Sequence, residues 1–272
     1  MNILCIGDIV GKSGREAVRQ LLPGIKEEFK IDVVIANAEN CAGGMGVTSR
    51  LARNLFSYGC DILTLGDHVW DKDEIKEFLN GSDNIIRPAN FPEGAPGRGS
   101  CIFQLRSGEK IAVVNLLGRV FMRYNVTCPF LELRNLVKVV KEQNVRTVIV
   151  DMHAEATSEK VAIGHFIDGE VSAVVGTHTH IQTADEKILP KGTAYITDLG
   201  MTGPYDSVIG QEKEAIIRRF LTSLPEKFHV ATENVILHGV VIAVDEASGK
   251  ARSIGRIQKK LTNYDHSPEE GG

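Results

Sequence analysis

No apolar run in the 272-residue chain approaches the roughly 20 residues that a bilayer-spanning helix needs, so a membrane role is excluded at the level of sequence. The opening MNILCIGDIVGKSG has no basic leader and too short an apolar segment for a signal peptide, and reads as a first strand. No block of Lys or Arg is long enough to track a nucleic-acid backbone, and the formal net charge is -4, which disfavours duplex DNA or RNA as a partner. The five cysteines (Cys5, Cys41, Cys60, Cys101, Cys128) show no CxxC spacing and are odd in number. That suits reduced, mostly buried thiols and a cytoplasmic protein, with Cys41 the one that falls inside a motif. Repeats, low-complexity segments and linkers are also missing, so one domain over 1–272 is expected, with a frayed tail from Thr262.

What is present is alternation. Short apolar runs (NILCIG, DVVIAN, DILTLG) are separated by stretches of helical period (GREAVRQLLPGIKEEF, TSRLARNLFSYG), the pattern of a β-α-β-α-β opening. Near-continuous apolar strands such as DVVIAN and KIAVVNLL imply burial on both faces. A helix over LELRNLVKVVKEQ and strands over RTVIVDMH and VSAVVGTH follow. The late segments GTAYITDLG, NVILHGVVIAVDE and ARSIGRIQKKL read as strands of a second, more antiparallel sheet. The expected fold class is α/β, a sandwich of two sheets.

The predicted strand ends carry residues that can bind metal: Asp8, Glu39 with Asn40, Asp67 with His68, His153, and His178 with His180. Strand carboxyl ends line one crevice in open α/β sheets, so residues distant in sequence can converge there. Oxygen and imidazole donors suit Mn, Fe or Zn. Taken singly, each has an ordinary explanation. Asp8 alone is as readily a helix cap or turn residue, and Glu39-Asn40 before CAGGMG can be turn chemistry, although Gly43, Gly44 and Gly46 can also let amides approach a phosphate. An isolated HxH is weak, even though an extended GTHTH would put His178 and His180 on one side. The combination is what weighs. Four of the eight histidines sit at predicted strand ends, while His165, His229, His238 and His266 do not and read as structural or surface residues.

Through GDIVGKSGR, NAENCAGGMG, GDHVWDKDEI, RPANFPEG, DMHAEATSEK and VVGTHTHIQTADEKILPKGTAYITDLGMTGPYDSVIG, the chain resembles the metallophosphoesterase superfamily, and within it the bacterial YmdB-like phosphodiesterases. The resemblance implies two mixed β-sheets packed face to face with flanking helices. It implies two metal ions, Fe or Mn in the first place with Zn or Mg as alternatives. Glu39 would bridge them, with Asp8, Asn40 and His180 completing one shell and Asp67, His153 and His178 the other. His68 would be the general acid beside the scissile phosphate, and a metal-bridging hydroxide the nucleophile. The implied substrates are small phosphodiesters, foremost cyclic nucleotides of the 2′,3′ or 3′,5′ type, and a homo-oligomer is compatible. Two departures stand out. Val10 occupies the place where most of the superfamily has a histidine ligand, as is typical of the YmdB-like branch, and Asp67 replaces the family's usual Asn. Asp67 leaves room for a metal-containing regulatory protein of little turnover, and a phosphomonoesterase is the other alternative.

Overall fold

The computed structural model describes residues 1–262, so the tail beyond Thr262 and His266 lie outside the described residues. In chain order the elements are β1 (Asn2–Ile6), β2 (Asp8–Ile9), α1 (Gly11–Phe29), β3 (Val33–Asn37), α2 (Ser49–Ser57), β4 (Ile62–Thr64), α3 (Ile75–Gly81) and β5 (Ile85–Ile86). There follow β6 (Ser100–Gln104), β7 (Lys110–Leu117), α4 (Pro129–Glu142), β8 (Thr147–His153), α5 (Thr157–Phe166), β9 (Ala173–Thr177) and β10 (Lys187–Ile188). The chain continues with β11 (Ala194–Ile196), β12 (Met201–Pro204), α6 (Lys213–Thr222), β13 (Val235–Val244) and β14 (Ala251–Lys260). None of the described helices is long and apolar enough to cross a membrane.

Two mixed sheets result. One carries β14, β13, β1, β3, β4 and β5 side by side, with short β12 continuing along the β1 edge of β13 and β2 beside β12. The other runs β10-β11-β9-β8-β7-β6. The period-2 geometry of a strand explains the layering. Ile3 and Cys5 of β1, with Val33 and Ile35 of β3, join Val113, Ile149, Val175 and Ile196 in a core between the sheets. The alternate residues Leu4, Ile6 and Val34 turn the other way, against Val18, Leu22 and Leu55 of α1 and α2. On the far side Val114, Val148 and Val150 meet Leu133, Val137 and Ile163 of α4 and α5. Burial on both faces is thus what made these strands read as unbroken apolar runs.

The late strands depart from the expectation of a separate antiparallel sheet. β13 pairs antiparallel with all five residues of β1, from Asn2↔Ala243 to Ile6↔Gly239, and β11 joins the other sheet parallel to β9. The physical reason is that β1 has β3 on one side only, and β13 satisfies the backbone donors and acceptors of its other edge. Strand pattern reports burial, and pairing partners are set by which edges remain open.

Candidate metal centre

Parallel pairing of β1, β3 and β4 brings their carboxyl ends to one edge, and parallel β7, β8 and β9 do the same in the other sheet. Asp8, Glu39, Asn40, Asp67 and His68 leave the first edge, and His153 and His178 the second. Gly66 shows how tightly they meet. A Cβ at that position would lie 2.2 Å from Glu39 Oε2 and 2.4 Å from His153 Nε2, so only glycine fits.

The centre of the cluster is His153, fully buried at the end of β8. Its Nε2 is 3.0 Å from Glu39 Oε1, 3.1 Å from Asp67 Oδ1 and 3.0 Å from His178 Nδ1. His178 Nδ1 is 3.3 Å from Asp67 Oδ1, and one donor atom from each of Glu39, Asp67, His153 and His178 lies within 4.8 Å of every other. Metal bonds to nitrogen and oxygen of about 2.0–2.2 Å let one cation reach donor atoms this close together.

Each imidazole is held at its outer nitrogen. His153 Nδ1 is 2.9 Å from Thr177 Oγ1, whose hydroxyl donates to Asp151 Oδ1 at 2.6 Å. The Thr177 oxygen therefore accepts from Nδ1–H, and Nε2 is the nitrogen turned to the cluster. His178 Nε2 faces Glu155 Oε2 at 3.2 Å, leaving Nδ1 inward. His180 Nδ1 donates to the Ile209 carbonyl at 2.9 Å, leaving Nε2 4.0 Å from Asp8 Oδ1. Burial pushes the Asp151 carboxyl up to about 6, against the pull of His153 and its threonine donors.

Asp8, Asn40 and His180 are the remaining residues expected as ligands. Asp8 Oδ2 accepts the His178 N–H at 3.2 Å, and Asn40 Nδ2 donates to the Gly44 carbonyl at 3.0 Å. Their remaining oxygens, Asp8 Oδ1 and Asn40 Oδ1, are buried without a hydrogen-bond partner. A buried, unpartnered carboxylate oxygen 4.0 Å from His180 Nε2 and a buried, unpartnered amide oxygen are donors of the kind that a hard or borderline cation takes. Burial disfavours a charged Asp67 and a charged His153 alike. Their contacts prevail, with Asp67 held well below the usual carboxylate range by His153 and His178, and His153 raised well above its ordinary value by Glu39, Asp67 and Asp8.

His68 stands beside the cluster. Its N–H donates to Glu39 Oε2 at 3.1 Å, and its Nδ1 is 2.7 Å from Asp71 Oδ2. Arg123 Nη1 donates to the other Asp71 oxygen at 2.9 Å. Asp71, Arg123, Glu155, Thr177 and Asp151 were all missed in the sequence, where only the three-residue step from His68 to Asp71 offered a signal.

Two expectations change. His178 and His180 do not share the face of a strand, because β9 ends at Thr177 and both residues take left-handed backbone, φ 101° and 66°. The CAGGMG loop follows the turn reading, since the Ala42 and Gly44 amides donate to Gly46 and Asn40 carbonyls within the loop. Cys41 contributes its carbonyl to Arg15, and burial pushes its thiol up to about 12. Among the described residues, His165 and His229 are exposed, and His238 is buried against the Tyr205 hydroxyl at 2.6 Å.

Comparison with known proteins shows what the whole chain is similar to. The chain is 48% identical over 266 residues to the 2′,3′-cyclic-nucleotide 2′-phosphodiesterase of Bacillus subtilis, covering 98% of each chain. It superposes on the crystal structure of a phosphatase from Mycoplasma pneumoniae with a TM-score of 0.89 at 36% identity, over 96% of this chain and 93% of that one. The NAD nucleotidase of Haemophilus influenzae, at 16% identity, shares the fold alone, with a TM-score of 0.59 over 96% of this chain and 56% of that one. A model described as YmdB-like protein matches residues 4–257, and the chain belongs to that family.

Proposed function

We propose that this protein is a two-metal phosphodiesterase that hydrolyses cyclic nucleotides of the 2′,3′ or 3′,5′ type. The observation that carries the reading is the convergence of Glu39, Asp67, His153 and His178 on one point, with the buried oxygens Asp8 Oδ1 and Asn40 Oδ1 left without a hydrogen-bond partner. Asp67, His153 and His178 would hold one cation, Asp8, Asn40 and His180 the other, and Glu39 both. Fe or Mn suits this mixture of carboxylate, amide and imidazole donors, and Zn or Mg are the alternatives. When bound, such a pair supplies an activated water and clamps the oxygens of an in-line displacement at phosphorus.

The residues outside the cage divide the remaining work. Asp71 fixes the His68 ring by accepting a hydrogen bond from Nδ1–H, so that in the imidazolium form Nε2–H is the group that gives its proton to the departing alkoxide. General acid help of this kind is worth roughly 10²- to 10⁴-fold. Thr177, Glu155 and the Ile209 carbonyl orient the three imidazoles. The name of the Bacillus subtilis relative supports a cyclic diester as substrate.

The test is a hydrolysis screen of 2′,3′- and 3′,5′-cyclic nucleotides, linear diesters and monoesters, with Mn or Fe added and with a chelator control. Metal-dependent cleavage that favours cyclic diesters is expected. Preference for monoesters would make it a phosphomonoesterase. Metal binding without turnover would favour a regulatory role, and turnover surviving exhaustive metal removal would overturn the reading.

A further inference from the structure

Lysine is almost never fully buried without a partner, yet Lys160 on α5 is 1% exposed. Its Nζ donates to Asp198 Oδ2 at 2.7 Å, and Asp198 is 0% exposed. Gly176 leaves the passage for the lysine stem, since a Cβ there would come within 2.9 Å of Lys160 Cδ. Removing two charges from water costs about what their attraction returns, so a pair this deep is a poor source of stability by itself. Its other contacts indicate a different role.

Asp198 Oδ2 also accepts the Thr179 N–H at 3.1 Å and the Thr179 hydroxyl at 2.7 Å, while Oδ1 accepts the Gly200 N–H at 2.8 Å. Thr179 is the middle residue of His178-Thr179-His180, and both histidines lie in left-handed backbone that side chains other than glycine avoid. Such strain persists only where surrounding contacts over-determine it. The same turn is fastened from the opposite side, where Met201 N–H donates to the His180 carbonyl at 3.1 Å and Met201 pairs with Asp8 between β12 and β2.

We infer that Asp198, charge-balanced by Lys160, is a positioning residue that clamps Thr179 and so holds His178 and His180 in the turn that sends one imidazole to each half of the metal site. The inference rests on the metal reading above and adds to it the device that builds the two halves. Only a carboxylate suits the place. Thr179 N–H, Thr179 hydroxyl, Lys160 ammonium and Gly200 N–H all donate to it, and the NH₂ of an asparagine would oppose one of these donors. The strain is local to two ligands, so its release moves them without unmaking the sheets.

The test is Mn²⁺ binding by calorimetry to the full chain and to Thr179→Val, Thr179→Ser, Asp198→Asn and His178→Ala. Thr179→Val keeps shape and removes the hydroxyl, and it should weaken Mn²⁺ binding 10- to 100-fold, the usual effect of losing a contact behind a ligand. Thr179→Ser restores the hydroxyl and should stay within about threefold of the parent, while Asp198→Asn should weaken binding at least as far as Thr179→Val. Parent-like affinity in Thr179→Val, even with a lowered melting temperature, would make Thr179 merely structural and overturn the proposal. An equal loss in Thr179→Ser would overturn it too. A parent whose Mn²⁺ affinity is unchanged by His178→Ala would instead remove the metal reading, and this inference with it.

Discussion

Asp71 Oδ2 lies 2.7 Å from His68 Nδ1, and the other Asp71 oxygen is held 2.9 Å from Arg123 Nη1. The aspartate thus has one fixed orientation, and through it the imidazole does too. The general-acid role proposed for His68 requires this, because a freely rotating ring would not keep one nitrogen facing the substrate.

His68→Ala should lower kcat by 10²-fold or more while leaving metal content near that of the parent. Asp71→Asn should also lower kcat, by less, with KM little changed. Single-turnover kinetics beside elemental analysis provide the check. Loss of a metal from His68→Ala would make that residue a ligand.

Glu39 presents its two oxygens to different groups, Oε1 to His153 Nε2 at 3.0 Å and Oε2 to the His68 N–H at 3.1 Å. Glutamine offers one oxygen, so Glu39→Gln should disturb both metal positions together. Mn²⁺ titration should show both sites weakened, and one site filling normally would contradict a bridging role.

Asp67 Oδ1 sits 3.1 Å from His153 Nε2 and 3.3 Å from His178 Nδ1, which places its charge at the cluster. Asp67→Asn keeps the volume and removes that charge, leaving the cations stronger Lewis acids. We expect both metals retained at somewhat lower affinity, faster turnover near pH 7, and a pH-rate profile whose alkaline-going rise moves to lower pH. An unchanged profile would remove Asp67 from the ligand set.

In the metal-free chain burial acts to discharge His153, but Glu39, Asp67 and Asp8 outweigh it and raise the imidazole well above 6.5. The stabilisation from a raised group is complete below its unfolded value and is lost as pH climbs through its folded one. The metal-free chain should therefore weaken as pH rises above 6.5. A cation at the same nitrogen displaces the proton and binds more tightly as pH rises. The gain in melting temperature from saturating Mn²⁺ should then be larger near about pH 8.5 than near about pH 6, and Mn²⁺ addition in weak buffer should release protons. Equal gains at both values would show that His153 carries no competing proton.

His178 and His180 illustrate how far local pattern reaches. Their spacing marked them as a pair at a strand end, and the structure keeps them there, yet the alternation argument for their common face fails because the strand stops at Thr177. Asp198, Asp151 and Glu155 gave no signal, since a carboxylate that acts through a contact made across the fold looks in sequence like any other acid.

What the sequence by itself determined is the longer apolar strands and several helices, their two-faced burial, and which residues able to bind metal stand at the strand ends, because these follow from local periodicity and side-chain chemistry. Pairing was decided only in three dimensions. β13 closes the open edge of β1, and the carboxyl edges of two sheets meet so that His153 Nε2 comes within 3.0 Å of Glu39 Oε1. Such contacts join residues more than a hundred positions apart, and the free energy that selects them comes from burying the two inner faces against each other, a quantity that no local stretch of chain carries.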